Sequence, residues 1–195
     1  MAADVFVPRG LNQKEMAEFA IEFRRKLGIG RGEPVDIVDI LEFELGQFYP
    51  GYSFRVREDD KVDFRAQARP LENTIIVSES TYDAACEGDS DARFILAHEL
   101  GHFLLHADRA LKMNTNRYGL DYEKQFENLN SLTSTEAQAD IFARHFLAPC
   151  YLAFQYRSDP HQLSVLAGIP LREAKAACTI SKRDELYSLR QSSAT

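Results

Sequence analysis

The sequence predicts an α+β fold, mostly helical, with one small antiparallel sheet beside a buried helix. Three observations predict it. Apolar residues recur at helical spacing through Met16, Phe19, Ala20, Phe23 and Leu27, and again across 94–106 and 135–149. Strict alternation replaces that period between residues 52 and 68, where Tyr52, Phe54 and Val56 alternate with Ser53, Arg55 and Arg57. With 195 residues, 45% of them hydrophobic, and no long polar tract, the chain has material for one sizeable core, in one domain or a domain with a small appendage.

The first helix opens at Asn12, which forms a cap pair with Glu15, and closes at Gly28 and Gly30. Glu33-Pro34 opens a second, short helix through Val35, Val38, Leu41 and Leu45 that is expected to end at Gly46. Two strands follow, the second carrying Val62, Phe64, Ala66 and Ala68 on one face. The polar turn 58–61 is expected to join them as antiparallel neighbours. A third strand, Thr74–Ser78, comes after Pro70 and Asn73. As an edge strand it could pair with an extended peptide through its main chain, or the sheet could serve only to cover the core. The polar run 87–91 offers Asp89 or Ser90 as the cap of the next helix. Residues 107–133 read as a long irregular stretch and hence as one wall of a cleft.

Charge and cysteines narrow the function classes. A formal charge of −7 argues against broad binding of nucleic acid through phosphates, while leaving room for a local basic patch. Cys86, Cys150 and Cys178 are odd in number and widely spaced, as reduced structural thiols would be. The first nine residues lack the pattern of a signal peptide, and nowhere do eighteen apolar residues run together. A cytoplasmic location is expected, with no membrane contact.

The chemistry centres on 94–106. His98 and His102 are one helical turn apart, about 6 Å along the axis, with Glu99 beside the first. This is the HExxH arrangement. Two imidazoles on one face can hold a single zinc ion, and the intervening carboxylate can take a proton from a water whose pKa zinc lowers to about 7. The competing explanation is a buried helix with hydrogen-bonded histidines. Apolar neighbours Phe94, Leu96, Ala97, Leu100 and Phe103 bury the helix, so its charged groups need partners under either explanation.

A catalytic zinc needs a third protein donor and one open position. His106 lies about 12 Å along the axis from His98, too far for one ion to hold both. A longer motif with its third histidine on the same segment would need glycine at Leu105 and histidine at Asp108. The better donor is Glu136, on a helix capped at Ser134 or Thr135 and halted near Pro149, with Asp140 one turn further on to orient a ligating histidine. Alone, Glu136 would read as a favourable acid in a first helical turn. Downstream of HExxH it reads as the third ligand.

Together, 98–106 and 136–149 resemble the ImmA/IrrE metallopeptidases, in which HELGHxLLH is followed by ExxAN/DxFAxxLLxP. The resemblance extends from the first helix to Pro149. It implies a zincin-like peptidase fold, one catalytic Zn2+ held by His98, His102 and Glu136, and Glu99 as catalytic base. It also implies a cytoplasmic zinc endopeptidase that cuts a DNA-binding repressor of the helix-turn-helix type and so releases stress or mobile-element genes. Two positions depart from the family pattern: Asp140, where many members carry asparagine, and Ala148, where many carry methionine.

Residues 1–158 are expected to form the metallopeptidase domain and 159–195 a helical extension packed on it. In the extension Leu163, Leu166 and Ala167 precede a Gly168-Ile169-Pro170 break, after which Leu171, Ala174, Ala177 and Cys178 resume helical spacing, as in a helix-turn-helix. From His161 onward five basic residues face three acidic ones, so packing or protein docking is expected ahead of direct nucleic-acid binding. Residues 191–195 read as a disordered tail, and Tyr118 as a donor to the reaction's oxyanion. Two other functions fit the same motifs: a non-catalytic, zinc-stabilised module that binds a regulator, and a protease acting on an antitoxin-like partner.

Overall fold

The computed structural model describes residues 11–115 and 134–191, with the side chains of 107–115 left aside. Helix α1 (Gln13–Lys26) starts at the expected capping box, in which Asn12 accepts from the Glu15 N–H and Glu15 reaches back to the Asn12 N–H. The next helical segment runs as α2 (Ile37–Asp39), a π-helical stretch (Ile40–Glu44) and α3 (Leu45–Phe48). It passes through Gly46, which has open space around it, rather than stopping there.

Strands β1 (Ser53–Arg57), β2 (Ala66–Arg69) and β3 (Thr74–Ser78) make a mixed sheet in the order β1-β3-β2. The expected all-antiparallel sheet is corrected here: β1 runs parallel to β3, and β2 antiparallel to it. The first two strands point in opposite directions, as a hairpin would, but β3 is inserted between them. The reason is burial. Every residue of β3 is buried, so it takes the centre, where both edges are paired and both faces covered. The arginine-bearing strands take the edges. Thr74–Ser78 is therefore not an edge strand, and the edge near the helix that carries His98 and His102 is β2, shorter than expected because residues 62–65 lie outside it.

Helix α4 (Glu79–Cys86), capped by Ser78, has no counterpart in the sequence reading, because only Thr81 and Ala85 of it are buried and the apolar stripe is faint. Helix α5 (Ser90–Thr115) is capped by Asp89, whose carboxylate accepts from the Ala92 N–H at 2.8 Å. It continues nine residues past His106 through a stretch expected to be irregular; the rest of that stretch, 116–133, and with it Tyr118, lies outside the described residues.

Helix α6 (Thr135–Leu147) is capped by Ser134 and lies along both α5 and α1. Phe19 and Phe23 of α1 meet Phe142 and Phe146 of α6. The buried Arg24 guanidinium donates to the carbonyls of Phe146, Gly30 and Glu33, tying the end of α6 to the loop after α1.

The chain ends in α7 (Cys150–Gln155), α8 (Pro160–Ala167), α9 (Leu171–Ile180) and α10 (Tyr187–Gln191). Gln191 is helical, where a tail was expected, and 192–195 lie outside the described residues. Leu163, Ala167, Ile169, Ala174 and Ala177 enter the same apolar cluster as Leu96, Leu100 and Phe142. A half-hidden ion pair, Arg144 to Glu173 at 2.7 Å, joins α6 to α9. Among the described residues no helix is long and apolar enough to cross a membrane.

Candidate metal centre

Helix α5 presents His98 and His102 on one face, and α6 brings Glu136 against them. The two helices approach closely at Gly101, where a Cβ would lie 3.1 Å from the Ala139 Cα and 3.1 Å from the Phe142 ring. No larger residue fits there without pushing α6 away. An isolated glycine inside a helical pattern was the available sequence signal for such a contact.

The donor atoms form a compact triangle. His98 Nε2 and His102 Nε2 are 3.0 Å apart, and each is 3.3 Å from a different oxygen of Glu136. Donors bound to one tetrahedral zinc at 2.0–2.1 Å are separated by about 3.3 Å, so the triangle has the size of one face of that tetrahedron. Among the described residues, these three form the one group of potential donors able to hold a metal. The histidine side chains are 17% exposed and that of Glu136 is 47% exposed.

Asp140 accepts from His98 Nδ1 at 2.8 Å, leaving the Nε2 lone pair to face the triangle. Burial works to lower the His98 pKa, but the hydrogen bonds to Asp140 and Glu136 and the nearby Glu99 outweigh it and push it up to about 10. The same contacts with His102 and His98 hold Glu136 far below the usual carboxylate range. All of this marks a site built to bind positive charge.

Glu99 is not part of the triangle. Its Oε2 accepts from the Ala68 N–H on β2 at 2.6 Å, which fixes the carboxylate beside the histidines. Burial raises its pKa, and His102, His98 and the Ala68 N–H work against that rise. This backbone donor escaped the sequence reading because any residue but proline has an N–H, and only the strand's position makes this one useful.

His106 and His145 stay apart from the triangle. The buried His106 ring sits 5.3 Å from that of His102, within α5 rather than at a helix end. His145 lies on the far face of α6, wholly buried, with Nε2 3.1 Å from Gln13 Oε1. Burial and the neighbouring Arg144 lower its pKa to about 3, so it is neutral.

No protein-family model matches this chain, and no curated protein matches it. Among solved structures, a Mycobacterium tuberculosis transcriptional regulator is similar in fold, with a TM-score of 0.52 at 16% sequence identity, over 82% of this chain and 44% of that one. The chain thus spans less than half the length of that regulator. At such identity the likeness is one of fold.

Proposed function

We propose that this chain is a zinc-dependent endopeptidase of the ImmA/IrrE type whose substrate is a helix-turn-helix repressor. The observation that carries the reading is the triangle of His98, His102 and Glu136 at zinc-ligand spacing, with a separately anchored carboxylate beside it. Zinc bound there would polarise the scissile carbonyl and acidify a water molecule. Glu99 would take a proton from the attacking water as its oxygen adds to the carbonyl carbon, then deliver the proton to the amine as the C–N bond breaks. Asp140 keeps His98 in the ligating tautomer, and Gly101 sets the distance from α5 to Glu136. The outer edge of β2 runs past Glu99, so an extended peptide there would pair with main-chain groups of β2 other than the Ala68 N–H, which Glu99 holds.

The choice of a repressor as substrate rests on the motif resemblance and agrees with the description of the fold neighbour as a transcriptional regulator. An antitoxin-like partner is the second substrate class. A non-catalytic zinc module would not need a held Glu99, so the Ala68 N–H bond to its carboxylate favours the peptidase.

The deciding comparison is wild type beside Glu99→Gln, each incubated with lysate and followed by mapping of new N-termini. Wild type is expected to make a single cut in a DNA-binding protein, and Glu99→Gln to bind zinc normally while cutting roughly 10²- to 10⁴-fold more slowly. Equal cutting by both proteins removes Glu99 from its role, and scattered cuts in abundant proteins overturn the selective-regulator reading.

A further inference from the structure

The two faces of the sheet differ sharply in chemistry. Phe54, Ala66, Ala68, Ile75 and Val77 point into the core. The opposite face is set by the register: Ser53, Thr74 and Arg69 form one row across it, Arg55, Ile76 and Gln67 the next. Arg57 and Ser78 form the third, extended by Arg65, whose carbonyl accepts from the Ser78 N–H at 2.8 Å. Polar contacts confirm that these side chains share a face. Ser53 and Thr74 bond at 2.9 Å, Arg55 donates to Ser53 and Arg69 to Gln67.

This face bears arginines in a chain whose formal charge is −7, and no carboxylate stands in its rows. Arg55, Arg57 and Arg65 are exposed. Among the described residues, Arg69 alone of these cations has a carboxylate within 4.0 Å, Glu72 at 3.6 Å. Ile76, 7% exposed, lies between Arg55 and Gln67 at the centre.

We infer that this face is a docking surface for an acidic polypeptide segment, with Arg55, Arg57, Arg65 and Arg69 as its cationic contacts. Geometry favours an extended segment. Arg55 and Arg57 are two residues apart on β1, hence about 7 Å, and acidic side chains at every second residue of an extended chain repeat at that same spacing. Each guanidinium can grip a carboxylate with two parallel hydrogen bonds.

Nucleic acid fits the face less well. Single strands are held by stacking bases on aromatic rings, and Phe54, the one aromatic of β1, packs against the core. A duplex extends well beyond the screening distance of about 8 Å, so it meets the anionic remainder of the molecule, whereas a short segment senses mainly the local arginines.

The surface lies next to the metal centre. Strand β2 carries Gln67 and Arg69 on this face and, through the Ala68 N–H, touches Glu99. A partner gripped here is held beside the strand whose Ala68 N–H meets Glu99. As a device for choosing a substrate the surface rests on the peptidase reading, but its binding does not.

The test uses the full chain carrying Glu99→Gln, with fluorescence anisotropy of labelled oligoglutamate, oligoglutamine and oligothymidylate. Oligoglutamate is expected to bind and to loosen as salt is added, with oligoglutamine not bound. Adding Arg55→Ser and Arg57→Ser should weaken binding about tenfold or more, Arg55→Lys with Arg57→Lys, which keeps the charge but loses the paired hydrogen bonds, should weaken it less than the serine pair does, and the distant Arg172→Ser should leave it unchanged. Undiminished binding in the serine pair, no oligoglutamate binding by the parent, or preference for oligothymidylate each overturns the inference. A protein that binds oligoglutamate while the wild type cuts nothing keeps this surface and sinks the peptidase reading; one that cuts without binding does the reverse.

Discussion

At Gly101 a missing side chain lets the helix that carries Glu136 come close to α5. The atoms that a Cβ would strike include the Ala139 Cα and carbonyl, which belong to the backbone of α6, so the strain cannot be relieved by turning a rotamer. Gly101→Ala is expected to move Glu136 outward and weaken zinc binding about 10- to 100-fold, as losses around metal ligands do. Gly46→Ala, placed in open space within a helix, should bind zinc as wild type does. Competition with a chromophoric chelator reads both. In the same assay Glu136→Ala should lose most affinity and His106→Ala should keep it; a metal-free His106→Ala beside a loaded Glu136→Ala would sink the ligand assignment.

Strand β2 connects the sheet to Glu99. The Ala68 N–H points away from β3, toward Glu99, so it has no part in the ladder. Proline at an outward-facing edge position removes only that donor. Ala68→Pro should therefore leave the fold and the bound zinc in place while freeing the Glu99 carboxylate, lowering turnover on the order of 10²-fold, the size of loss that a small misplacement of a reacting group brings. Full turnover by a folded, zinc-loaded Ala68→Pro would show that Glu99 needs no such anchor. The opposite edge, β1, carries arginines instead, which discourages indiscriminate strand pairing there.

Among the described residues the larger apolar cluster joins α1, α5, α6, α7, α8 and α9, and a buried histidine on α6 couples folding to pH. The His145 imidazole takes a proton near pH 6.5 in the unfolded chain and only near 3 in the folded one. Between these values the unfolded state binds more protons, so stability falls as pH falls, by up to about 1.4 kcal/mol per pH unit. His145→Gln removes the titrating group. The difference in melting temperature between wild type and this variant, both in chelator, should be flat above pH 7 and should shift against wild type as pH drops below 6.5. A difference that stays constant down to pH 4 would mean that the ring is protonated in the fold.

The sequence by itself determined what local periodicity and local chemistry control. The Asn12–Glu15 cap, the helical turn separating His98 from His102, and the placement of Glu136 and Asp140 on one face of a second helix are set by neighbours within a few residues, so a linear reading reaches them. The tertiary structure alone decided what depends on distant segments meeting. A hairpin between β1 and β2 is the natural local reading of alternation around a polar turn, yet the more apolar β3 competes for the central place and wins because only there are both its faces buried. That exchange brings the Ala68 N–H to Glu99 and collects arginines from β1 and β2 on one face, although residues 58–65 separate those strands in the chain. Gly101 likewise shows its use only when α6 lies against it, since contact across helices far apart in sequence leaves no periodic trace.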